Sequence, residues 1–495
     1  MPGILTIDAG TTGVTALIVD ETGAVVAHGY QEFTQYFPAD GHVEHDLNEI
    51  WAATLASCRT ALQASPLPIT AVGITNQRET ICLWDSETLG AARPAIVWQD
   101  RRTAAMCDQW RGDGLEPMIT ETTGLRLDPY FSGSKLHWIA KHDPHVWRQV
   151  MDGRVLIGTV DSYLIARMTR GLLHVTDATN ASRTLLYDLG TGTWSEELCD
   201  LFSVPLHALP EIVPSYGVIG NTDPKAFLGL DVPIAGIAGD QQAALVGQVG
   251  FDPGTAKCTY GTGSFLLVNT GKQRAKSTHG LLATVALGHP DGTRTYALEG
   301  AIFVTGSAVQ WLRDGLGIID SAADVEALAA SVPDSGNVVF VPALTGLGAP
   351  DWDPNARGLI IGVTRGTTRA HIARATLDAI AYQVRDVVDL MRSEGHVVLP
   401  ELRVDGGASQ NDLLCQIQSD VLGIPVDRSA DVQTTGIGAA FLAGLGTGVW
   451  PNTQALAATR RSSGRFTPDQ GNAAMAGTLH LRWREAVSRA RNWMG

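Results

Sequence analysis

The chain is predicted to be an α/β protein of two lobes, and three observations carry the prediction. Strand-like apolar runs alternate with stretches of helical periodicity along most of its length. Its 495 residues exceed what one hydrophobic core supports. A turn built on Asp8-Ala9-Gly10-Thr11-Thr12-Gly13 is echoed, beyond a turn-rich break at residues 250–254, by Gly261-Thr262-Gly263-Ser264. The expected division is 1–249 and 250–495, one fold-sized unit used twice.

The elements follow in order. Ile4-Leu5-Thr6-Ile7 and Thr15-Ala16-Leu17-Ile18-Val19 flank the first turn as strands, and Ala24-Val25-Val26-Ala27 adds a third after Glu21-Thr22-Gly23. Residues 47–64 repeat Ile50, Trp51, Leu55 and Leu62 at helical spacing, with Asp46 and Glu49 as a capping pair. Strands are expected at 69–75, 80–84 and 154–158, and a helix at 161–169. Residues 232–240 read as a strand ending on Asp240, followed by a helix to 247. Beyond the break, strands are expected at 255–260, 265–269, 335–342 and 401–404. Helices are expected at 303–315, 369–394, 411–422 and 433–446, and from Met475 onward.

Composition narrows the function. The formal net charge of −15, from 51 acidic and 36 basic residues, argues against broad contact with nucleic acid or anionic membranes. Cys58, Cys82, Cys107, Cys199, Cys258 and Cys415 have no CxxC spacing, which argues against a zinc site and fits a reducing cytoplasm. No apolar run is long enough to cross a bilayer and the N-terminus has no signal pattern, so a cytoplasmic protein is expected. His42-Val43-Glu44-His45 has HxxH spacing without an evident third ligand and reads as a polar loop.

The two hairpin turns combine glycines, which let backbone approach a ligand, with threonine hydroxyls and backbone N–H donors. Asp8 adds an oxygen ligand suited to hydrated Mg²⁺. A third glycine-rich turn, Asp405-Gly406-Gly407-Ala408-Ser409-Gln410-Asn411, precedes a helix and offers a flat backbone surface for an adenosine. Two Asp/Gly/Thr hairpins with a Gly-Gly turn resemble the ATP site of the actin, Hsp70 and sugar-kinase superfamily, which implies two ribonuclease H-like (actin-like ATPase) domains flanking a cleft. Within it the chain resembles the FGGY carbohydrate kinases over essentially its whole length, and most closely those that phosphorylate glycerol. The carrying stretches are Ile74-Thr75-Asn76-Gln77-Arg78-Glu79-Thr80, Asp128-Pro129-Tyr130-Phe131-Ser132-Gly133-Ser134-Lys135, Gly236-Ile237-Ala238-Gly239-Asp240-Gln241-Gln242 and Tyr260-Gly261-Thr262-Gly263-Ser264-Phe265. Two family signatures also fit: Tyr130-x-Ser132-x-x-Lys135-Leu136-x-Trp138, and Gly358 through Gly362, His371 and Ala375 to Asp378.

The resemblance implies ATP-dependent phosphorylation of glycerol to sn-glycerol 3-phosphate, with another polyol or sugar as the alternative acceptor. A small uncharged triol needs directional donors and acceptors and an apolar wall. Arg78, Glu79 and Tyr130 supply the first, Trp98 and Phe265 the second, and Gln241 a further contact. Asp240 is the expected general base and Asp8 the Mg²⁺ ligand. Thr11, Thr12, Gly13, Thr262, Gly306, Gln310, Gly407 and Asn411 are the expected ATP contacts. A homo-oligomer, dimer or tetramer, is expected. One departure stands out. The family often reads Gly-Thr-Thr-Ser-x-Arg in the first turn, whereas Gly10 to Thr15 reads GTTGVT, with Thr15 in the place of the arginine. The stretch Asn221-Thr222-Asp223-Pro224-Lys225-Ala226-Phe227 also lacks the Gly-rich, Arg-containing loop through which some relatives bind fructose 1,6-bisphosphate.

Overall fold

The computed structural model describes residues 2–494. Two mixed sheets form its frame. The first has six strands, in the order Tyr216–Asn221, Pro233–Gly239, Ile69–Asn76, Gly3–Ala9, Gly13–Asp20 and Val25–Glu32. The second has seven: Leu282–Gly288, Arg294–Ile302, Ser264–Gly271, Ala256–Tyr260, Leu402–Asp405, Val426–Ser429 and Ser462–Phe466. Both repeat one plan. An antiparallel hairpin (Gly3–Ala9 with Gly13–Asp20; Ala256–Tyr260 with Ser264–Gly271) is joined on its inner side by a parallel strand (Ile69–Asn76; Leu402–Asp405). A further parallel strand then lies beyond it (Pro233–Gly239; Val426–Ser429).

The strand Gly3–Ala9 is apolar on both faces because both are covered. Leu5, Ile7 and Ala9 pack with Ile50 and Trp51 of the helix Leu47–Ala64. Ile4, on the opposite face, packs with Phe441 and Leu442 of the helix Thr434–Thr447. That second helix comes from beyond residue 250, so the chain returns to cover the first sheet before adding the last strand of the second, Ser462–Phe466. It crosses the helix Asp240–Gly247 at close quarters: a Cβ on Gly438 would lie 1.8 Å from the Ala243 carbonyl oxygen, and one on Gly247 would lie 2.0 Å from that of Thr434. The second core is built the same way, with Cys258 and Leu266 of the sheet against Leu377, Ile380 and Val384 of the long helix Arg369–Gly395.

Several details differ from the sequence reading. Asp46 caps Leu47–Ala64 through the Asn48 amide, but Glu49 does not complete a capping box; its carboxylate instead accepts from the Thr34 amide and the Tyr36 hydroxyl. The strand expected over 335–342 shrinks to Val339–Val341. The final helix starts at Gln470, capped by Asp469, ahead of Met475. Residues 271–302, for which the sequence suggested no element, hold the strands Leu282–Gly288 and Arg294–Ile302. His45 is buried rather than a loop group; its Nε2 meets Gln35 Oε1 at 2.7 Å and its Nδ1 meets Gln77 Nε2 at 3.3 Å. None of the described helices is long and apolar enough to cross a membrane.

The crossing yields a paired prediction. Gly438→Ala pushes a methyl into backbone and is expected to cost about 1–3 kcal/mol. Gly477→Ala, in the last helix with nothing within 4 Å of its Cβ position, is expected to stabilise by about 0.5–1 kcal/mol. Chemical denaturation of the two variants beside wild type checks both.

Candidate active site

Open α/β sheets bind ligands outside the carboxyl ends of their parallel strands, and the first sheet brings its charged residues together there. Gly3–Ala9 delivers Asp8 and the first hairpin turn, Ile69–Asn76 delivers Arg78 and Glu79, and Pro233–Gly239 delivers Asp240 as the first residue of the helix Asp240–Gly247. Arg78 Nε lies 3.0 Å from Asp240 Oδ1. Arg78 and Glu79 are both buried, and Glu79 has a φ of 63°, a left-handed conformation that costs a non-glycine residue about 1–2 kcal/mol. The Ser132 hydroxyl, which donates to the Glu79 carbonyl at 2.9 Å, helps to hold it there.

Asp240 is thus a helix N-terminal residue, with Gly239 as the cap, and its Oδ1 also accepts from the Gln241 amide at 2.7 Å. Its side chain keeps 29% exposure, unlike that of Arg78 beside it. Burial, and then the neighbouring carboxylate of Asp240, push the Asp8 carboxyl up to about 7. The strand register sets Thr15 directly across from Asp8. The residue standing in place of the family arginine therefore leaves this pair of carboxylates without a cation at that position.

The aromatic side of the site is organised by the Tyr130–Trp138 signature. Lys135, fully buried, donates to the carbonyls of Pro129 (2.7 Å), Tyr130 (2.6 Å) and Phe131 (3.3 Å), which fixes the turn presenting Tyr130. The Tyr130 ring meets Trp98 edge-on at 5.5 Å between centroids, and burial followed by the nearby Glu79 raises its hydroxyl pKa. Trp98 Nε1 donates to Thr11 Oγ1 at 2.9 Å, which ties the apolar wall to the first hairpin turn. Phe265 lies opposite Thr259 in the second sheet. Lys257 Nζ donates to the Gln241 side-chain oxygen at 2.5 Å.

The carbonyls of the first turn are engaged behind it: Ala9 and Gly10 accept from Gln77, Thr11 from Gln35, and Thr12 from the Phe33 amide. Thr12 is exposed, Thr11 partly so, and Gly13 is buried. In the second turn, the Thr262 carbonyl accepts from the amides of Thr305 (2.9 Å) and Ser307 (3.1 Å), and the Gly306 amide donates to Gly261 at 3.0 Å. Thr262 is therefore set against the start of the helix Gly306–Asp314, where Gly306 and the exposed Gln310 lie one turn apart. Gly406, with a φ of 84°, packs against the Tyr260 backbone, and Gly407 beyond it faces open space. Asn411 caps the helix Asp412–Leu422 through the Leu414 amide at 2.8 Å, which commits its carbonyl oxygen and leaves its amide group for other use. A cavity of about 1040 Å³ opens elsewhere, between the 274–281 loop, Thr120 and Arg484, and shares none of these residues.

Two residues that the sequence did not single out complete the cluster. Arg183 donates from Nε to Glu79 Oε1 at 2.7 Å, and Glu299, from the second sheet, accepts from both Arg78 and Arg183. Among the residues before 250, Asp8, Arg78, Glu79, Trp98, Tyr130, Asp240, Gln241 and the turn Thr11-Thr12-Gly13 thus belong to one linked group. The Gly261-Thr262 turn and residues 305–307 form a second, hydrogen-bonded group.

Residues 3–247 match the FGGY family of carbohydrate kinases, N-terminal domain, and residues 256–447 match its C-terminal domain. A glycerol kinase of Petrotoga mobilis is 50% identical over 494 residues, covering 99% of each chain. One of Aromatoleum aromaticum is 52% identical over 501 residues, covering 100% of each. Among solved structures, Plasmodium falciparum glycerol kinase with ADP superposes with a TM-score of 0.92 at 34% identity, covering 99% of this chain and 98% of that one. The N- and C-terminal domains match in order along most of the chain, the relatives are about half identical over its full length, and the chain belongs to the FGGY family of carbohydrate kinases.

Proposed function

We propose that the chain phosphorylates glycerol at a terminal hydroxyl, using ATP, to give sn-glycerol 3-phosphate, with Asp240 as general base. The observation that carries the reading is the carboxylate of Asp240, partly exposed at a strand end and held by Arg78 within a group that also contains Glu79, Tyr130 and Trp98. Arg78 and Glu79 would donate to and accept from the glycerol hydroxyls, Gln241 would add a contact, and Trp98 and Phe265 would cover the carbons. The attacking oxygen forms a bond to the γ-phosphorus as the bond to the β,γ-bridging oxygen breaks. The hydroxyl proton passes to Asp240 and ADP leaves. In phosphoryl transfer the protein mainly positions the reactants and stabilises charge.

Thr11, Thr12, Gly13 and Thr262 are suited to the phosphates, and Gly306, Gln310, Gly407 and Asn411 to the nucleoside end. Mg²⁺ fits beside Asp8, where burial and then the neighbouring Asp240 carboxylate raise the Asp8 pKa, so that a cation is favoured there. When bound it would neutralise phosphate charge. The lobes take the division 1–249 and 250–495, and the protein acts in the cytoplasm as a homo-oligomer. The relatives at 50% and 52% identity do not favour another acceptor.

Three outcomes are expected. In a coupled ADP-release assay over a panel of polyols, wild type responds to glycerol, and Asp240→Asn loses about 10²–10⁴-fold in kcat; ADP release that ignores both the acceptor and the substitution sinks the reading. Burial and then Asp240 raise the Asp8 carboxyl to about 7, above its ordinary 3.8, so the ligand-free folded chain holds more protons than the unfolded one between those values and its stability falls as pH rises through that window. Asp8→Asn should remove this slope and exceed wild type in Tm at pH 8 but not at pH 4, as read by thermal denaturation without ligand. Finally, Thr15→Arg places a guanidinium across from Asp8 and is expected to lower the KM for MgATP several-fold, measured at saturating glycerol.

A further inference from the structure

We infer that Glu299 is a positioning residue for the acceptor site: one buried carboxylate, contributed by the opposite lobe, that sets both Asp240 and Glu79 through two arginines. The inference rests on the proposed function, because it gives those two carboxylates acceptor-contacting roles.

Glu299 lies in the strand Arg294–Ile302 of the second sheet and is 0% exposed. Its Oε2 accepts from Arg78 Nη1 at 2.5 Å, and its Oε1 accepts from Arg78 Nη2 at 3.2 Å and from Arg183 Nη2 at 2.9 Å. Each guanidinium also reaches a second carboxylate through its Nε, while Arg183 Nη1 is buried without a hydrogen-bond partner. Arg78 turns its Nε to Asp240 at 3.0 Å, and Arg183 turns its Nε to Glu79 at 2.7 Å. The outer end of each arginine thus meets a carboxylate of the acceptor site, while the inner ends share Glu299. Burial pushes the Glu299 carboxyl up, but Arg183 and Arg78 together bring it below the ordinary range, so it stays charged.

The two arginines repel one another, and Glu299 is the group that lets them sit side by side. Neutralising it leaves Glu79 and Asp240 as the carboxylates nearest to both guanidiniums. The arginine donors would then turn towards them and occupy lone pairs that the acceptor hydroxyls need. The main consequence is therefore weaker acceptor binding, with the nucleotide turns untouched. The strand pair carrying Glu299 has separate anchors on the first lobe: Thr284 Oγ1 meets Ser182 Oγ at 2.9 Å, Gln242 Nε2 donates to the Val285 carbonyl at 3.2 Å, and the Gly288 amide donates to Ser215 Oγ at 2.9 Å. The strands thus stay docked when the charge is removed.

The test compares wild type, Glu299→Gln, Arg183→Lys and the double variant by steady-state kinetics in both substrates, alongside Tm. Arg183→Lys keeps the charge but loses the fork that spans Glu299 and Glu79, so it tests the idea even if Glu299→Gln fails to fold. Each single variant is expected to raise the glycerol KM by about tenfold or more with the MgATP KM within about twofold of wild type. The double variant is expected to be no worse than the poorer single one, since both break one chain of contacts. A folded Glu299→Gln with wild-type glycerol KM, whatever its kcat, overturns the inference, as do fully additive effects. Failure of wild type to release ADP in the presence of glycerol defeats the proposed function instead, and the wild-type arm reads that separately.

Discussion

The proposed acceptor side of the molecule depends on one buried electrostatic arrangement: Arg78 and Arg183 facing Glu79 and Glu299, with Asp240 at the open edge. The four buried members balance in charge. Taking such groups out of water is costly, and only geometry that satisfies each fork offsets it; deleting one partner of a buried pair typically costs about 3–5 kcal/mol. The forks are used here except at Arg183 Nη1, which is buried without a hydrogen-bond partner. Arg78 meets Asp240, Glu299 and Gln242, and Arg183 meets Glu79 and Glu299. Under the proposed function this would be an acceptor site with its donors and acceptors aimed in advance, which is where binding energy serves a small ligand best.

The two lobes share a plan but divide the chemistry. At corresponding strand ends the first sheet has Arg78, Glu79 and Asp240, whereas the second has Gly406 and Gly407 after Leu402–Asp405. Charged groups at one set of ends suit a polyol and a transferable proton. Bare backbone at the other suits a flat, close-fitting nucleoside. One folding unit used twice thus provides two kinds of surface, distinguished by a handful of residues at the same topological positions.

Much of this was readable from local signals. The hairpin turns announce themselves through adjacent glycine and threonine, and Asp240 through its place at the end of an apolar run. The helices at 47–64 and 369–394 follow from their periodicity, matching Leu47–Ala64 and Arg369–Gly395 closely. Glu299 and Arg183 were not readable in that way, because their meaning lies in pairings 221 and 116 residues apart. The trace that Glu299 leaves is a lone acid in Ala297-Leu298-Glu299-Gly300-Ala301-Ile302, since a charge in an otherwise buried strand demands a partner. Glu49 misled for the complementary reason. Its spacing from Asp46 fits a capping box, yet Thr34 and Tyr36, distant in sequence, claim its carboxylate.

The placement of contacts across the lobes also bears on how the site works. The acceptor group is stitched across both: Arg78 to Glu299, Gln241 to Lys257, Gln242 to Thr284 and Val285. Each hairpin turn, by contrast, is held by its own lobe, the first by Gln35, Gln77 and Trp98 and the second by Thr305, Gly306 and Ser307. The close-packed helices Asp240–Gly247 and Thr434–Thr447, with glycines where their backbones meet, lie beside the stitched side. A rotation of one lobe on the other would therefore change the spacing of the two hairpins while barely disturbing the acceptor group. Under the proposed function, closing the hairpins over phosphate would exclude water from a site whose acceptor half is already assembled, which would favour transfer to the bound hydroxyl over hydrolysis.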